Sequence, residues 1–237
     1  MIHNCRHIIF YILGICCLVS CIDSTCMQTR GKEQHITHNV DTFSTLNIYG
    51  MFDVCIIPDS INYIELNGGS NQLQLCEFKE NNSTISLYNY SQCGFFKQFK
   101  HVEVRIHCSH LDSIYIFSAC RLRTDTISRN LFVSAQTEMI DASLELENNQ
   151  TSIQTYYKAG GNIQINGSSK KCKIIANYTL SLNCDNFTAQ YLSIQNNTNR
   201  TIIVNSDTLQ ASTSKSGKIL YSGTPVIVSK KGLVFQQ

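Results

Sequence analysis

Apolar residues recur at every second position in short runs along this chain. The cleanest run is Val102, Val104, Ile106 and Cys108, with polar residues between them. That period of two is the mark of a half-buried strand. Thr84 to Tyr88 alternates in the same way. Phe43 to Ile57 alternates across a break at Gly50 and predicts two strands. Asn62 to Leu66 predicts another, closed by the turn signal Asn67-Gly68-Gly69. Residues 70–77 have room for one helical turn.

After Leu111 the pattern becomes repetitive. Leu131-Phe-Val, Leu144-Glu-Leu, Ile163-Gln-Ile, Leu180-Ser-Leu, Leu192-Ser-Ile, Ile202-Ile-Val and Leu209-Gln-Ala follow one another, with Asn, Ser, Thr, Gly and Asp in the gaps. The alternation turns Ile163, Leu180, Leu192 and Ile202 inward and Gln164 and Ser181 outward. No segment carries a helical period of ordinary length. Such short strands build a poor barrel wall. The repeats also lack the paired Asn-Gly turns of antiparallel hairpins. Two consecutive runs make about 20 residues, a common length for one coil of a repeat fold. The expected fold is all-β: a parallel β-helix, or β-solenoid, over residues 111–237, with an irregular β portion over residues 36–110.

The N-terminus has a different character. Arg6 precedes an apolar run from Ile8 to Val19, too short to span a bilayer, which ends in Leu18-Val19-Ser20-Cys21. This resembles the export signal and lipobox of bacterial lipoproteins. Residues 1–20 are therefore expected to be a signal peptide and Cys21 the lipidated residue. Residues 21–35 lack periodicity and read as a tether. The expected address is the cell envelope, as an outer-membrane lipoprotein held to the membrane through its lipid.

Composition sharpens this picture. Charged residues are 15% of the chain, Pro occurs twice and Trp is absent, which suits a polar, uncharged β surface. Beyond Cys21 eight cysteines remain: Cys26, Cys55, Cys76, Cys93, Cys108, Cys120, Cys172 and Cys184. Cys55 and Cys108 lie within apolar alternation, so mostly free, buried thiols are expected, with room for one bridge. Charge is divided along the chain. Residues 21–147 hold 15 acids and 9 Lys or Arg, and residues 148–237 hold 2 acids and 9 Lys or Arg. The front is near −6 and the back near +7.

Little catalytic chemistry is visible. In the strand ending His107-Cys108, the two side chains point to opposite faces, a poor metal geometry. There is no Cys-x-x-Cys, no His-Glu-x-x-His and no nucleophile elbow. From Asn148 to Cys184 there is no acid at all, where a polysaccharide-cleaving enzyme needs a carboxylate pair. The expectation is a protein without catalytic residues, metal or cofactor, and with no nucleic-acid partner. Its basic half does offer a possible ligand-binding set: Tyr156, Tyr157, Lys158, Lys170, Lys171, Tyr191 and Arg200. Lysines attract an anionic glycan or cell-surface polymer, and tyrosine faces stack on sugar rings. Tyrosines capping the core explain the same residues equally well.

Specific motifs point to a family. Phe43-x4-Ile48-x-Gly50-x-Phe52-Asp53-Val54 resembles the opening of the auto-transporter adhesin, head GIN domain, family of Bacteroidetes envelope proteins. Gly69-Ser70-Asn71-Gln72-Leu73 and the run from Val102 to Ile106 followed by Leu111-Asp-Ser-Ile114 agree with it, and so does Ser216-Gly217 through Thr224-Pro225. The resemblance covers residues 36–237 and implies a right-handed, single-stranded β-solenoid that acts in adhesion, without enzymatic activity or cofactor. The chain departs from the family in its turns. Asn148-Asn149-Gln150-Thr151 and Asn196-Asn197-Thr198-Asn199 stand where the family repeats Ser-Gly-x-Gly. Two rival readings remain beside an adhesin: a carbohydrate-active enzyme on a β-helix, and a purely structural envelope protein.

Overall fold

A computed structural model describes residues 29–91, 100–156 and 158–237. The proposed signal peptide, Cys21, Cys26, Cys93, the aromatic residues Phe95, Phe96 and Phe99, and Tyr157 lie outside the described residues. Among the described residues the architecture is all-β: sixteen strands joined in one sheet. The sheet curls so that its inner face holds the core. One helical turn, α1 (Ser70–Leu73), interrupts it at the position the sequence left open.

The alternation sets the register. In β2 (Thr45–Tyr49) and β3 (Phe52–Pro58), Leu46, Ile48, Phe52, Val54 and Ile56 point inward and are buried. In β7 (Val102–Cys108), Val102, Val104, Ile106 and Cys108 do the same. Ile163, Leu180, Leu192 and Ile202 are all buried as well, while Gln164 is exposed. Cys55 corrects its expected burial. Phe52, Val54 and Ile56 take the inward positions of its strand, so Cys55 faces outward and is half-exposed.

The later strands pair in parallel at nearly constant spacing. β8 (Ser113–Ile116) pairs with β10 (Leu131–Ala135), Ser113 facing Phe132. Leu131 faces Thr151 of β11 (Ile140–Thr155), and Thr151 faces Cys172 of β12 (Gly160–Thr198). Tyr191 faces Thr208 of β13 (Thr201–Thr213), and Ile202 faces Ile219 of β14 (Lys218–Ser222). Each of these steps advances the chain by 17 to 21 residues. The short apolar-alternating runs do not stand as separate strands. β11, β12 and β13 carry the ladder continuously through the bends between them, β12 for 39 residues.

Buried amides hold those bends. Asn196 donates through Nδ2 to the carbonyls of Arg200 (2.9 Å) and Lys218 (3.0 Å) and accepts from the backbone N–H and the hydroxyl of Thr198. Asn148 donates to the Arg129 carbonyl (3.0 Å) and accepts from Thr151 (2.9 Å) and Ser169 (2.7 Å). These are the two Asn-rich segments, Asn148-Asn149-Gln150-Thr151 and Asn196-Asn197-Thr198-Asn199. They satisfy backbone groups that the enclosed bend hides from water. Gly161 keeps the glycine solution. Its φ is +96°, and a Cβ there would fall 2.0 Å from the Ile140 carbonyl.

The front of the chain is stacked out of sequence order. β6 (Thr84–Asn89) pairs in parallel with β2, on the side away from β8, and β7 likewise flanks β3 opposite β9 (Cys120–Thr124). Antiparallel strands cover this end. β4 (Tyr63–Gly69) lies on β7, β1 (Glu33–Asn39) on β4, and β5 (Cys76–Asn81) on β6. Asn67-Gly68-Gly69, read as a turn, instead continues β4. Gly69 is needed there because Arg30 crosses it, leaving its carbonyl 2.0 Å from where a Cβ would stand. At the other end, β15 (Val226–Lys231) pairs with β13 and β16 (Val234–Gln236) with β14.

Candidate functional site

Stacking brings outward side chains from distant parts of the sequence into columns. One column carries an unusual set. Tyr49 stacks on Tyr88 with ring centroids 4.9 Å apart and on Phe117 at 4.6 Å, the planes within 5° of parallel on both sides. Tyr90 extends the stack beyond Tyr88 at 6.0 Å, and Tyr115 lies beside Phe117 at 6.3 Å and Phe132 at 5.6 Å. Successive strands lie about 4.8 Å apart, so rings at equivalent positions on neighbouring strands stack face to face without distortion. Faces inside the stack are occupied by one another. Tyr90 donates its hydroxyl to Glu77 (2.9 Å), and Lys79 Nζ lies 5.1 Å from the Tyr88 centroid, so the ring edges and the hydroxyls of Tyr49 and Tyr88 are what the stack offers a ligand.

The column continues past the aromatics. Phe117 N–H bonds to the Ile48 carbonyl, Gln136 N–H to that of Ile116, and Tyr156 N–H to that of Ala135. Asn177 N–H bonds to the Thr155 hydroxyl at 2.8 Å, and its side-chain amide donates to the Thr155 carbonyl. Asn197 Nδ2 donates to Asn177 Oδ1 (2.9 Å), and Ser214 donates to Asn197 Oδ1 (2.6 Å). The order along the molecule is therefore Tyr88, Tyr49, Phe117, Gln136, Tyr156, Asn177, Asn197 and Ser214. Seven steps of about 4.8 Å make a strip about 34 Å long. It is aromatic at one end and amide-rich at the other.

Cations border the amide end. Thr179 N–H bonds to the Ala159 carbonyl beside Lys158, and Arg200 Nε donates to the Thr179 carbonyl (3.3 Å). Lys215 Nζ lies 4.9 Å from the centroid of the Tyr178 ring. Such a strip offers ring edges and hydroxyls, then paired amide donors and acceptors, then fixed positive charge.

The family model described as "Putative auto-transporter adhesin, head GIN domain" matches residues 42–225. The chain belongs to this family. Among solved structures, an adhesin-like protein from Bacteroides fragilis superposes with a TM-score of 0.73 at 16% identity, covering 86% of this chain and 96% of its own. A protein from Parabacteroides distasonis described as a lipid-binding protein gives 0.62 at 12% identity, covering 87% and 97%. One from Parabacteroides merdae, described as an adhesin, gives 0.61 at 14% identity over the same shares. These likenesses establish a shared fold. No curated protein matches the chain.

Within this head GIN domain chain the described residues of the expected binding set fall into two groups. Tyr156, Lys158 and Arg200 follow the ends of the strand stretches that carry Thr155 and Thr198. Lys170, Lys171 and Tyr191 stand at the starts of the stretches that pair Cys172 with Thr151 and Leu192 with Leu209. A strand stretch of about 17 Å separates the two groups. Lys170 faces an open recess with Glu147 and Asp207. The Tyr191 hydroxyl is engaged with Gln210 (2.8 Å). Only the first group borders the column. The aromatic end escaped the sequence because Tyr88 and Tyr49 belong to strands stacked out of order. The regular spacing of Phe117, Gln136, Tyr156, Asn177 and Asn197, about 20 residues from one to the next, was the legible part of the signal.

Carboxylates on the neighbouring outward face are engaged in ion pairs. Asp53 meets His101 Nδ1 (3.2 Å) and Arg121 (3.1 Å), and Arg121 also reaches Asp141 (3.4 Å). His107 makes a contact of its own. It is half-buried, stacked on Tyr63 at 4.0 Å and 3.0 Å from Asp59. That contact, with backbone N–H donors from Ser60 and Ile61, holds the Asp59 carboxyl below the usual carboxylate range. Among the described residues no three His, Cys, Asp or Glu side chains converge as a metal site, and no helix is long and apolar enough to cross a membrane.

Proposed function

We propose that this chain is an envelope-anchored adhesin module that grips a surface polymer or glycan along the aromatic-amide column. The observation that carries this is the column itself: ring edges and hydroxyls leading into a ladder of amides bordered by Lys158 and Arg200. Extended polymers suit an extended strip, and an anionic one gains from the bordering charge. The finer fold reading is a right-handed, single-stranded β-solenoid. The repeated parallel steps of about 20 residues support it, and right-handed parallel crossovers are the strong default. The stretch Leu18-Val19-Ser20-Cys21 supports anchoring by lipid at Cys21, on the outer membrane. Binding is preferred to catalysis because Asp53 and Asp141 are tied to Arg121, and Asp59 to His107.

A glycan array at low and high salt tests the site. Tyr49→Ala with Tyr88→Ala should lower binding at least tenfold. Lys158→Glu with Arg200→Glu should remove its salt dependence. Lys170→Glu with Lys171→Glu, on the opposite edge, should leave binding unchanged. Loss of binding in that last pair alone would move the site to the other edge. For the anchor, Cys21→Ala should release the chain from membranes.

A further inference from the structure

We propose that a second copy of this chain docks head to tail, the β15 end of one copy on the β5 end of the next. Among the described residues four strands pair on one side only: β1 and β5 at the front end, β15 and β16 at the back. An unpaired edge presents a row of free N–H and C=O groups, a template for another strand. The two ends are matched. β5 and β15 are equally long, and both continue the same face: β5 lies on β6, which pairs with β2, and β15 lies on β13.

The back end carries exposed apolar side chains. Val226 and Val228 are 68% and 57% exposed, and Phe235 is 47% exposed. Its charge is positive, from Lys230 and Lys231. Lys230 occupies an inward position. It pairs with buried Ala211, and its ammonium rests on Tyr221, 3.2 Å from the hydroxyl. The front end mirrors this with the opposite sign. Glu80 on β5 pairs with buried Ile85 and accepts the Asp41 N–H (3.3 Å), while Phe78 occupies the next inward position, opposite Leu87. Glu77 adds a second acid, and the one cation of β5, Lys79, is already paired with it at 3.5 Å.

Inward charges on an edge strand oppose pairing with a like edge. Back-to-back stacking would set Lys230 against Lys230, and front-to-front stacking Glu80 against Glu80. Head-to-tail stacking alone brings Lys230 toward Glu80 while covering Val226, Val228 and Phe78. A repeated head-to-tail contact does not close, so the product is an open row of copies.

Sedimentation velocity of the full chain in a neutral detergent tests this. The chain should form a concentration-dependent series beyond the dimer, weakened by salt. Lys230→Glu or Glu80→Lys alone should weaken association at least tenfold, with thermal unfolding otherwise unchanged. Mixing the two variants should restore it, because each then offers the other a complementary end. Val226→Glu, which leaves the Lys230–Tyr221 contact in place, should give the same loss. A chain that stays monomeric at every concentration and salt, a series that stops at a symmetric dimer, or a mixture that fails to associate would overturn the proposal.

Discussion

The front of the molecule, residues 29–147, and the back, residues 148–237, share an interior and differ in nearly everything else. Both bury alternate Ile, Leu, Val and Cys on the same curled sheet. The back climbs in order, with bends pinned by Asn148 and Asn196 and their hydroxyl partners. In the front, β6 and β7 lie outside β2 and β3, and antiparallel strands close the end. Outside, the front carries aromatic stacks and ion pairs, and the back carries amides and lysines. Stacking constrains the inner face and leaves the outer one free, because an inward residue must fit its neighbours above and below while an outward one meets water. Function should therefore be sought where the outer chemistry changes. The column from Tyr88 to Ser214 crosses that junction.

The comparison is broken most directly through the shared interior. Ile163→Ala should cost about 2–5 kcal/mol, from lost burial and the cavity left behind, whereas Gln164→Ala should stay within about 0.5 kcal/mol. Chemical denaturation of the two variants checks this. Equal costs would mean that the inner and outer faces are misassigned. Val104→Ala, which removes two carbons rather than three, should cost somewhat less than Ile163→Ala and well more than Gln164→Ala, since the front and back share one core.

The bends distinguish the halves. Asn196→Ala leaves the carbonyls of Arg200 and Lys218 and the Thr198 N–H without their partner. The expected loss is about 1–3 kcal/mol, the cost of unsatisfied buried groups. Hydrogen exchange should quicken first around residues 196–218, with β3 and β7 unaffected.

Thiols report the outward and inward faces. Burial pushes Cys172 up to about 12 and Cys184 further still. Cys55 is also raised, by partial burial and by Asp125, but it stands half-exposed between Arg105 and Arg123. Among the described cysteines, a thiol reagent at mild alkaline pH should modify Cys55 first and reach Cys172 and Cys184 only on unfolding. Mass mapping of partially labelled protein reads the order.

The smallest effect belongs to the front's ion pairs. Asp59 is depressed by its hydrogen bond to His107, so the folded state holds fewer protons than the unfolded state as pH falls. Its contribution is present above the ordinary carboxylate pKa and is lost as pH falls through the lower folded value. The Asp59 carboxyl, followed by NMR, should titrate below its usual range. His107→Ala, which also removes the ring stacked on Tyr63, should return it upward.

Much of the interior was legible. Ile163, Leu180, Leu192 and Ile202 were placed inward by alternation alone, since a strand has only two faces and water selects between them. The all-β class followed from the same signal. The column's amide half left a trace in its regular spacing. The aromatic half left none, because nothing local in Tyr49 or Tyr88 tells that β6 stacks on β2 from the far side. Cys55 was misplaced by a related ambiguity: in Phe-Asp-Val-Cys-Ile-Ile both faces carry apolar residues, and the register is set by Val104 and Leu122 on the neighbouring strands. The sequence by itself determined which residues seek the interior and that short strands would meet them. Only the tertiary structure decided which strands became neighbours, and so which outward side chains share a column. Burial energy depends on each residue's own surface, whereas a column depends on pairing between segments as distant in the chain as Thr45 and Ser113.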